Sequence, residues 1–325
     1  MNKISTKSID IFCDKIIDYA GLFPPASLKL DVSFDNFINY RNSEFNYIIA
    51  NFICPVKLLS QLSDLIKNIY PQQKDIPLSI IGRGGYNSED FSNNLKEDLN
   101  LCQEFIKNSG NSCESNFFEV KLPDDLITSH DPDKISEFLH SVSESVKNSV
   151  SQTVFIFFEG HIGTDWKKNI GSLIKGLNIH NTSENNAGFK LRTGGVEAYS
   201  FPSTETITYS IRDCLDKAVP MKFTAGLHHP FRHFNESVNT KMHGFVNVFG
   251  AGAIAMRHNI SDSEINEILN DENPNNFIFT DEYFSWNDWK INNDEILLAR
   301  KNIVTSYGSC SFDEPLSDLK DLNLL

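Results

Sequence analysis

The stretch from residue 187 to 226, AGFKLRTGGVEAYSFPSTETITYSIRDCLDKAVPMKFTAG, has a short apolar segment at each end. These two segments, 187–192 and 220–226, predict β-strands. The segment 203–217 between them carries an apolar residue at every third or fourth position, and Ser203 or the threonine after it can cap a helix. The stretch therefore predicts a strand, a helix and a second strand, which is the unit of a parallel sheet.

Five more short apolar segments resemble these two strands. They lie at 47–54, 77–81, 116–122, 153–159 and 244–249. Apolar strands that alternate with amphipathic helices are typical of a parallel sheet covered by helices, and about 250 residues suit a closed (β/α)8 barrel. For the eighth strand we favour 17–22 over 277–281. We predict a (β/α)8 TIM barrel over residues 1–260, with a C-terminal extension, 261–325, packed on it. A doubly wound open sheet is the alternative, but neither GxGxxG nor GxxxxGK follows a predicted strand.

The composition argues against several classes of partner. The chain has 29 Lys and Arg against 43 Asp and Glu, a net charge of -14, and no basic run, so we expect no nucleic-acid partner. No apolar stretch reaches the roughly 18 residues of a membrane helix, so we expect no membrane partner and a cytoplasmic location. The six cysteines form no CxxC pair and fall within patterned segments, which favours buried free thiols over disulfides or a zinc site.

Several predicted strands contain charged residues where a barrel interior normally holds Val, Ile or Leu. They are Glu119, Lys121, Glu159, Lys190, Arg192 and Lys222. Such charges are costly inside a barrel unless they are paired or used, and active sites of barrels lie at the C-terminal strand ends, near which these residues fall. We interpret them as a candidate site. The alternative for each is structural: a side chain that faces the helices, or an internal ion pair such as Lys190 with Glu159.

Two of these residues, Lys190 and Lys222, lie on neighbouring predicted strands. Two like charges in a partly buried site repel each other, which favours the neutral form of one amine and makes it a nucleophile toward a carbonyl carbon. A nearby carboxylate, Glu119 or Asp18, would then move protons. The pair therefore points to covalent chemistry on a carbonyl compound.

The order and spacing of these segments resemble the deoxyribose-phosphate aldolase family of class I, Schiff-base aldolases, over about residues 17–256. KLRTGG, which begins at Lys190, is similar to the strand that carries that family's Schiff-base lysine, and KFTAG, which begins at Lys222, to the next strand. FEVKLPDDL places Glu119 at the family's proton-shuttling acid. DYAGL resembles its first strand, with Asp18 at the position of an Asp, and NFICPVKLL its second.

The resemblance also extends to FVNVFGAGA, which is similar to the family's last strand and glycine-rich phosphate loop. It implies that Gly250, Ala251 and Gly252 receive a phosphate or carboxylate. It further implies a TIM-barrel lyase of carbohydrate metabolism without a cofactor, in which Lys222 activates Lys190 and Asp18 hydrogen-bonds within the site. Two departures imply a different substrate: Arg192 replaces a small hydroxyl residue, and a pair of histidines replaces a Gly-Val-Arg-like turn.

A basic cluster follows the strand at 220–226 in the segment AGLHHPFRH. It comprises His228, His229, Arg232 and His233, and His243 opens the next predicted strand. With Arg192 and Glu159, these residues are candidates to bind a small anionic substrate, which protonation of the histidines below about pH 6.5 would favour. A divalent metal held by Glu119, Glu159, His228 and His243 is an alternative, but HHxxxH differs from HExxH and the proline after the pair indicates a loop.

Three functions follow from these observations. The first is a lyase, or a related enzyme, that forms a Schiff base between Lys190 and the carbonyl of a small, anionic metabolite. The second is a metal-dependent TIM-barrel hydrolase or isomerase, and the third a non-catalytic binding protein on an aldolase-like scaffold. In each, the expected partner is a small molecule. The sequence leaves open whether the chain forms a homo-oligomer.

Overall fold

The structure of the protein is a computed structural model that describes residues 6–182 and 186–325. The strands in chain order are β1 (Ile17–Tyr19), β2 (Ile49–Pro55), β3 (Ile76–Ile81), β4 (Cys113–Lys121), β5 (Phe155–Glu159), β6 (Ala187–Arg192), β7 (Met221–Thr224), β8 (His233–Asn235), β9 (Thr240–Met242), β10 (Phe277–Phe279), β11 (Tyr283–Trp286), β12 (Trp289–Asn292) and β13 (Val304–Ser309). The helices are α1 (Lys7–Cys13), α2 (Leu30–Arg41), α3 (Leu59–Ile69), α4 (Ser88–Ser109), α5 (Asp124–Ile127), α6 (Pro132–Ser149), α7 (Trp166–His180), α8 (Thr204–Asp216), α9 (Phe245–His258), α10 (Asp262–Asn270), α11 (Asn293–Asn302) and α12 (Asp313–Asp321).

Eight strands form a closed parallel barrel in the order β1-β13-β7-β6-β5-β4-β3-β2. Strands β2 to β6 succeed one another along the chain with helices between them, as in a (β/α)8 TIM barrel. This confirms the predicted fold class, including a strand at 17–19 as the first of the barrel. The helix predicted at 203–217 is also confirmed: Ser203 accepts a hydrogen bond from the backbone N–H of Thr206 at the start of α8.

Two boundaries of the predicted barrel are wrong. Residues 244–249 do not form the last strand, because α9 begins at Phe245, and the eighth strand is β13, at residues 304–309. The predicted extension 261–325 therefore contributes a strand to the barrel. The other late candidate, 277–281, contains β10, which pairs in a separate antiparallel sheet with β11 and β12.

Contacts divide the chain into two compact units. The central unit comprises residues 28–38 and 51–191, and the terminal unit comprises residues up to 27, 39–50 and 192–325. In the central unit β2, β3, β4, β5 and β6 pair in parallel in that order. Its aromatic core includes Phe34 and Phe52, whose ring centroids lie 5.3 Å apart.

In the terminal unit β13 pairs in parallel with β1 on one side and β7 on the other. Helix α11 precedes β13 and begins with a capping box, in which Asn292 and Glu295 satisfy each other's backbone N–H groups. Beside it, the ring of Phe12 on α1 packs edge-on against Phe279, with 5.3 Å between the ring centroids. These contacts belong to the core of the terminal unit, which contains β13, the barrel strand that the sequence pattern did not predict.

All six cysteines are free thiols, five of them buried, as predicted. None of the helices in the described ranges has the length and apolar character needed to cross a membrane.

Candidate functional site

Within the central unit, Lys190 on β6 lies between two carboxylates of neighbouring strands. Its Nζ is 2.9 Å from Glu119 Oε2 on β4 and 3.2 Å from Glu159 Oε2 on β5. Ser79 on β3 donates a hydrogen bond to the other oxygen of Glu119. We call these four residues the Lys190 cluster.

The Lys190 cluster is buried, because its side chains point to a face of the sheet that water scarcely reaches. Burial makes each charge costly unless an opposite charge or a donor compensates it, and this cluster supplies both. It holds two carboxylates for one amine, so an acceptor is in place for a proton that leaves the amine. The arrangement can therefore support a change in the charge of Lys190, which nucleophilic chemistry requires.

A second buried ion pair lies in the terminal unit. Lys222 Nζ on β7 donates to Asp18 Oδ2 on β1 at 2.5 Å, and Ser306 Oγ on β13 donates to the same oxygen at 2.6 Å. The structure thus joins two predicted site residues, Asp18 and Lys222, in direct contact. The predicted activation of Lys190 by Lys222 stays a prediction.

The histidines after β7 make contacts within the protein. His228 Nδ1 lies 3.2 Å from Glu314 and His229 Nδ1 lies 2.6 Å from Asp318, both on α12. His233 Nδ1 donates to the carbonyl of Phe231 at 3.0 Å. His228 and His229, which the sequence-based hypothesis assigned to an anionic substrate, thus each have an acidic partner within the protein, and their role in substrate binding stays a prediction.

His243 is held in one neutral form by its two neighbours. Its Nε2 donates to the carbonyl of Pro202 at 2.8 Å, and its Nδ1 accepts from Arg232 at 2.9 Å. Burial lowers the pKa of His243 to about 4, and burial also lowers the pKa of His228. The expected gain of positive charge near pH 6.5 depended on ordinary pKa values, and burial opposes this gain at both histidines.

The predicted phosphate loop is wrong, because Gly250, Ala251 and Gly252 lie inside α9 and are buried. A Cβ added to Gly250 would lie 2.9 Å from Phe284 Cζ, and one added to Gly252 would lie 2.5 Å from Val304 Cγ1. Such distances leave no room for a side chain. The glycines allow α9 to pack closely, and their backbone N–H groups lie within a helix rather than in a loop open to an anion.

Arg192 is the last residue of β6 and is exposed. Across residues 6–182 and 186–325, no group of three or more His, Cys, Asp and Glu side chains could hold a metal ion. The set considered as metal ligands, Glu119, Glu159, His228 and His243, is therefore not brought together as a metal centre.

Sequence reasoning missed Ser79 and Ser306, the hydroxyl donors of the two buried carboxylates. Ser79 is the polar residue in the apolar segment PLSII, a signal that could have identified it. Ser306 lies in a strand that the pattern did not predict, so its inward position could not be derived.

Comparison with known proteins adds little to this description. No protein-family model matches the chain, and no curated protein matches it. A weak structural neighbour is the endoglucanase CEL6B from Humicola insolens, at 10% identity and a TM-score of 0.26, over 77% of this chain and 74% of that one. A likeness of this size carries no argument about function.

Proposed function

We propose that the protein is a Schiff-base enzyme, a lyase of the class I aldolase type, in which Lys190 attacks the carbonyl of a small metabolite. The observation that carries the proposal is the position of the Lys190 amine within ion-pair distance of two buried carboxylates. Six free thiols agree with a reducing compartment such as the cytoplasm.

The reaction begins with a proton transfer from the Lys190 ammonium to Glu119, whose Oε2 is 2.9 Å away. The neutral amine then forms a C–N bond to the carbonyl carbon, and the carbonyl oxygen receives the proton from Glu119. The nitrogen next releases a second proton to the carboxylate, which delivers it to the hydroxyl group. The C–O bond breaks, water leaves, and a protonated imine remains on Lys190.

The protonated imine is an electron sink for the bond that breaks next. The Glu159 carboxylate takes the proton of the hydroxyl group on the β-carbon, whose oxygen then forms the carbonyl of the leaving fragment. The bond between the α- and β-carbons breaks, its electron pair forms the C=C bond of an enamine, and the electron pair of the C=N bond moves onto the nitrogen. Glu159 is the more exposed carboxylate of the cluster, so we assign it this contact with substrate, and the fully buried Glu119 the proton transfers to and from Lys190 and the carbonyl oxygen. Ser79 keeps Glu119 oriented by its hydrogen bond.

The test is reductive trapping. The protein is incubated with borohydride and a panel of aldehydes and ketones, and the modified peptide is identified by mass spectrometry. We expect a covalent adduct on Lys190 and its loss in Lys190→Arg, because a guanidinium keeps the charge but forms no imine at accessible pH. Lys222→Arg is the matched control, since it changes the other buried barrel lysine.

Mapping the adduct on the unaltered protein keeps the test independent of whether the variants fold. An adduct on Lys222 or on exposed lysines alone would contradict the proposal, as would trapping that persists undiminished in Lys190→Arg.

A further inference from the structure

Lys121 is the last residue of β4, the strand that also carries Glu119 of the Lys190 cluster. Side chains two residues apart on a strand share a face, so Lys121 projects on the same side as Glu119 and about 7 Å nearer the C-terminal end. Its Cα is in register with that of Glu159, and the Cα of Glu159 is in register with that of Lys190. Three adjacent strands thus present Lys121, Glu159 and Lys190 side by side.

The exposed fraction of the side chains increases from the buried Glu119 to Lys121 at the end of the same strand. It is 0% for Glu119, 5% for Lys190, 11% for Glu159 and 52% for Lys121. The exposed fraction thus rises from the buried cluster toward the side on which Lys121 lies. A substrate whose carbonyl carbon meets the Lys190 amine therefore extends its remaining atoms toward Lys121.

The loop after β3 packs directly against the end of β4. Gly84 adopts a φ of +70°, and a Cβ there would lie 2.7 Å from the carbonyl oxygen of Lys121. Asn94 donates to the carbonyl of Gly84 at 2.8 Å, which ties the loop to α4. Only glycine fits this close approach with a positive φ, so the loop fixes the backbone from which the Lys121 side chain projects.

The ammonium of Lys121 is held by a carboxylate that has a second partner. Lys121 Nζ lies 3.2 Å from Asp124 Oδ1, and His161 Nδ1 lies 3.4 Å from Asp124 Oδ2. All three side chains are about half exposed, and ion pairs in such surroundings are weak. An incoming anion can therefore replace Asp124 as the partner of Lys121, while Asp124 keeps its contact with His161.

We infer that Lys121 binds the anionic group of the substrate whose carbonyl reacts with Lys190. The inference rests on the proposed function and adds its substrate class: a carbonyl compound of about two to four carbons with a phosphate or carboxylate, since the two lysines project from backbones that are in register across β5, about 10 Å or two strand spacings apart. It places the anion beside Lys121 rather than at Arg192, Arg232 and the histidines after β7. Asp124 and His161 are positioning residues that hold the ammonium before substrate arrives.

The experiment compares a matched pair of probes, glycolaldehyde and glycolaldehyde phosphate. The rate of reductive trapping on Lys190 is measured by mass spectrometry for the wild-type protein, for Lys121→Met and for Lys134→Met, which removes an exposed lysine from α6. Thermal unfolding confirms that each variant is folded. We expect Lys121→Met to slow trapping of the phosphate about tenfold or more, the loss of one charge-assisted hydrogen bond, and to leave glycolaldehyde within about twofold. Lys134→Met should change neither rate.

Equal trapping rates for the two probes in the wild-type protein, or an equal loss for both in Lys121→Met, would overturn the inference. If neither probe is trapped on Lys190, the proposed function fails, and calorimetric titration with inorganic phosphate then tests the anion site alone. Binding that Lys121→Met weakens about tenfold supports the site without the Schiff base. Absent binding, or binding that the variant leaves unchanged, overturns it.

Discussion

Arg300 and Lys190 are both buried cations, but Arg300 pairs with backbone carbonyl groups, whereas Lys190 pairs with carboxylates. The Arg300 guanidinium donates to the backbone carbonyls of Phe12, Asp14 and Val304 at 2.7, 3.2 and 3.1 Å, and also to that of Thr305. Burial lowers its pKa to about 10, so it stays charged at neutral pH. Carbonyl oxygens do not accept protons there, whereas carboxylates such as those beside Lys190 can. This contrast is why we assign chemistry to Lys190 and a scaffolding role to Arg300.

His243 makes the stability of the protein depend on pH. Burial lowers its pKa to about 4, against about 6.5 in the unfolded chain, so the unfolded state binds more protons between these values. The contribution of the neutral imidazole is fully present above pH 6.5 and is lost as the pH falls toward 4. For one group, the free energy of unfolding should fall by about 2 kcal/mol from pH 7 to pH 5. We expect His243→Gln to reduce this loss by about that amount.

Urea unfolding at pH 7 and pH 5 measures the effect, with His140→Gln as the control because His140 lies half exposed on α6. A pH dependence that is the same in the wild-type protein and in His243→Gln would show that His243 titrates normally in the folded state.

At the scale of elements, α9 shows where an apolar pattern is ambiguous. Its first residues, FVNVFG, have the composition of a buried strand, but a helix buried on every side has the same composition. Sequence periodicity alone does not separate the two cases. The strands from β2 to β7 could be predicted because turn residues and amphipathic helices flank each of them. The ion pairs of the Lys190 cluster and the Lys222–Asp18 pair could be predicted only in part, because partner choice depends on register and side-chain direction.

Gly252 tests the packing of α9 against β13. An alanine inside a helix is ordinarily favoured over glycine by about 1 kcal/mol, but here the added Cβ meets Val304 Cγ1 at 2.5 Å. We therefore expect Gly252→Ala to lower the free energy of unfolding by about 1–2 kcal/mol. Val304→Ala removes the methyl groups that the added Cβ would meet. The double variant should therefore be less destabilised than the sum of the two single changes.

Chemical denaturation of the four proteins in this cycle gives the coupling energy. A Gly252→Ala variant that is more stable than wild type would mean that α9 does not approach β13 as described.

At the scale of the whole molecule, barrel closure depends on a strand that follows residue 260. Strand β13 lies between β1 and β7, with Asp18 in register with Gly308 and Phe223 in register with Tyr307. Its absence would expose the hydrogen-bonding edges of both neighbours and leave the buried Lys222–Asp18 pair without the hydroxyl of Ser306. The sequence pattern could not reveal this, because VTSYGS is short and mostly polar, with neither an apolar run nor a strict alternation.

Two shortened chains distinguish a barrel strand from an appendage. A chain that ends at residue 260 lacks β13, and we expect it to show no cooperative urea unfolding and to aggregate through its open strand edges.

A chain that ends at Phe312 keeps β13 and loses only α12 with the residues after it, including the partners of His228 and His229. It should fold into a cooperative but less stable protein, because α12 also buries Leu316 and Leu319. Near-ultraviolet circular dichroism and size-exclusion chromatography follow both chains. Cooperative unfolding of the chain that ends at residue 260 would mean that the barrel closes without β13, and that residues 261–325 are an appendage after all.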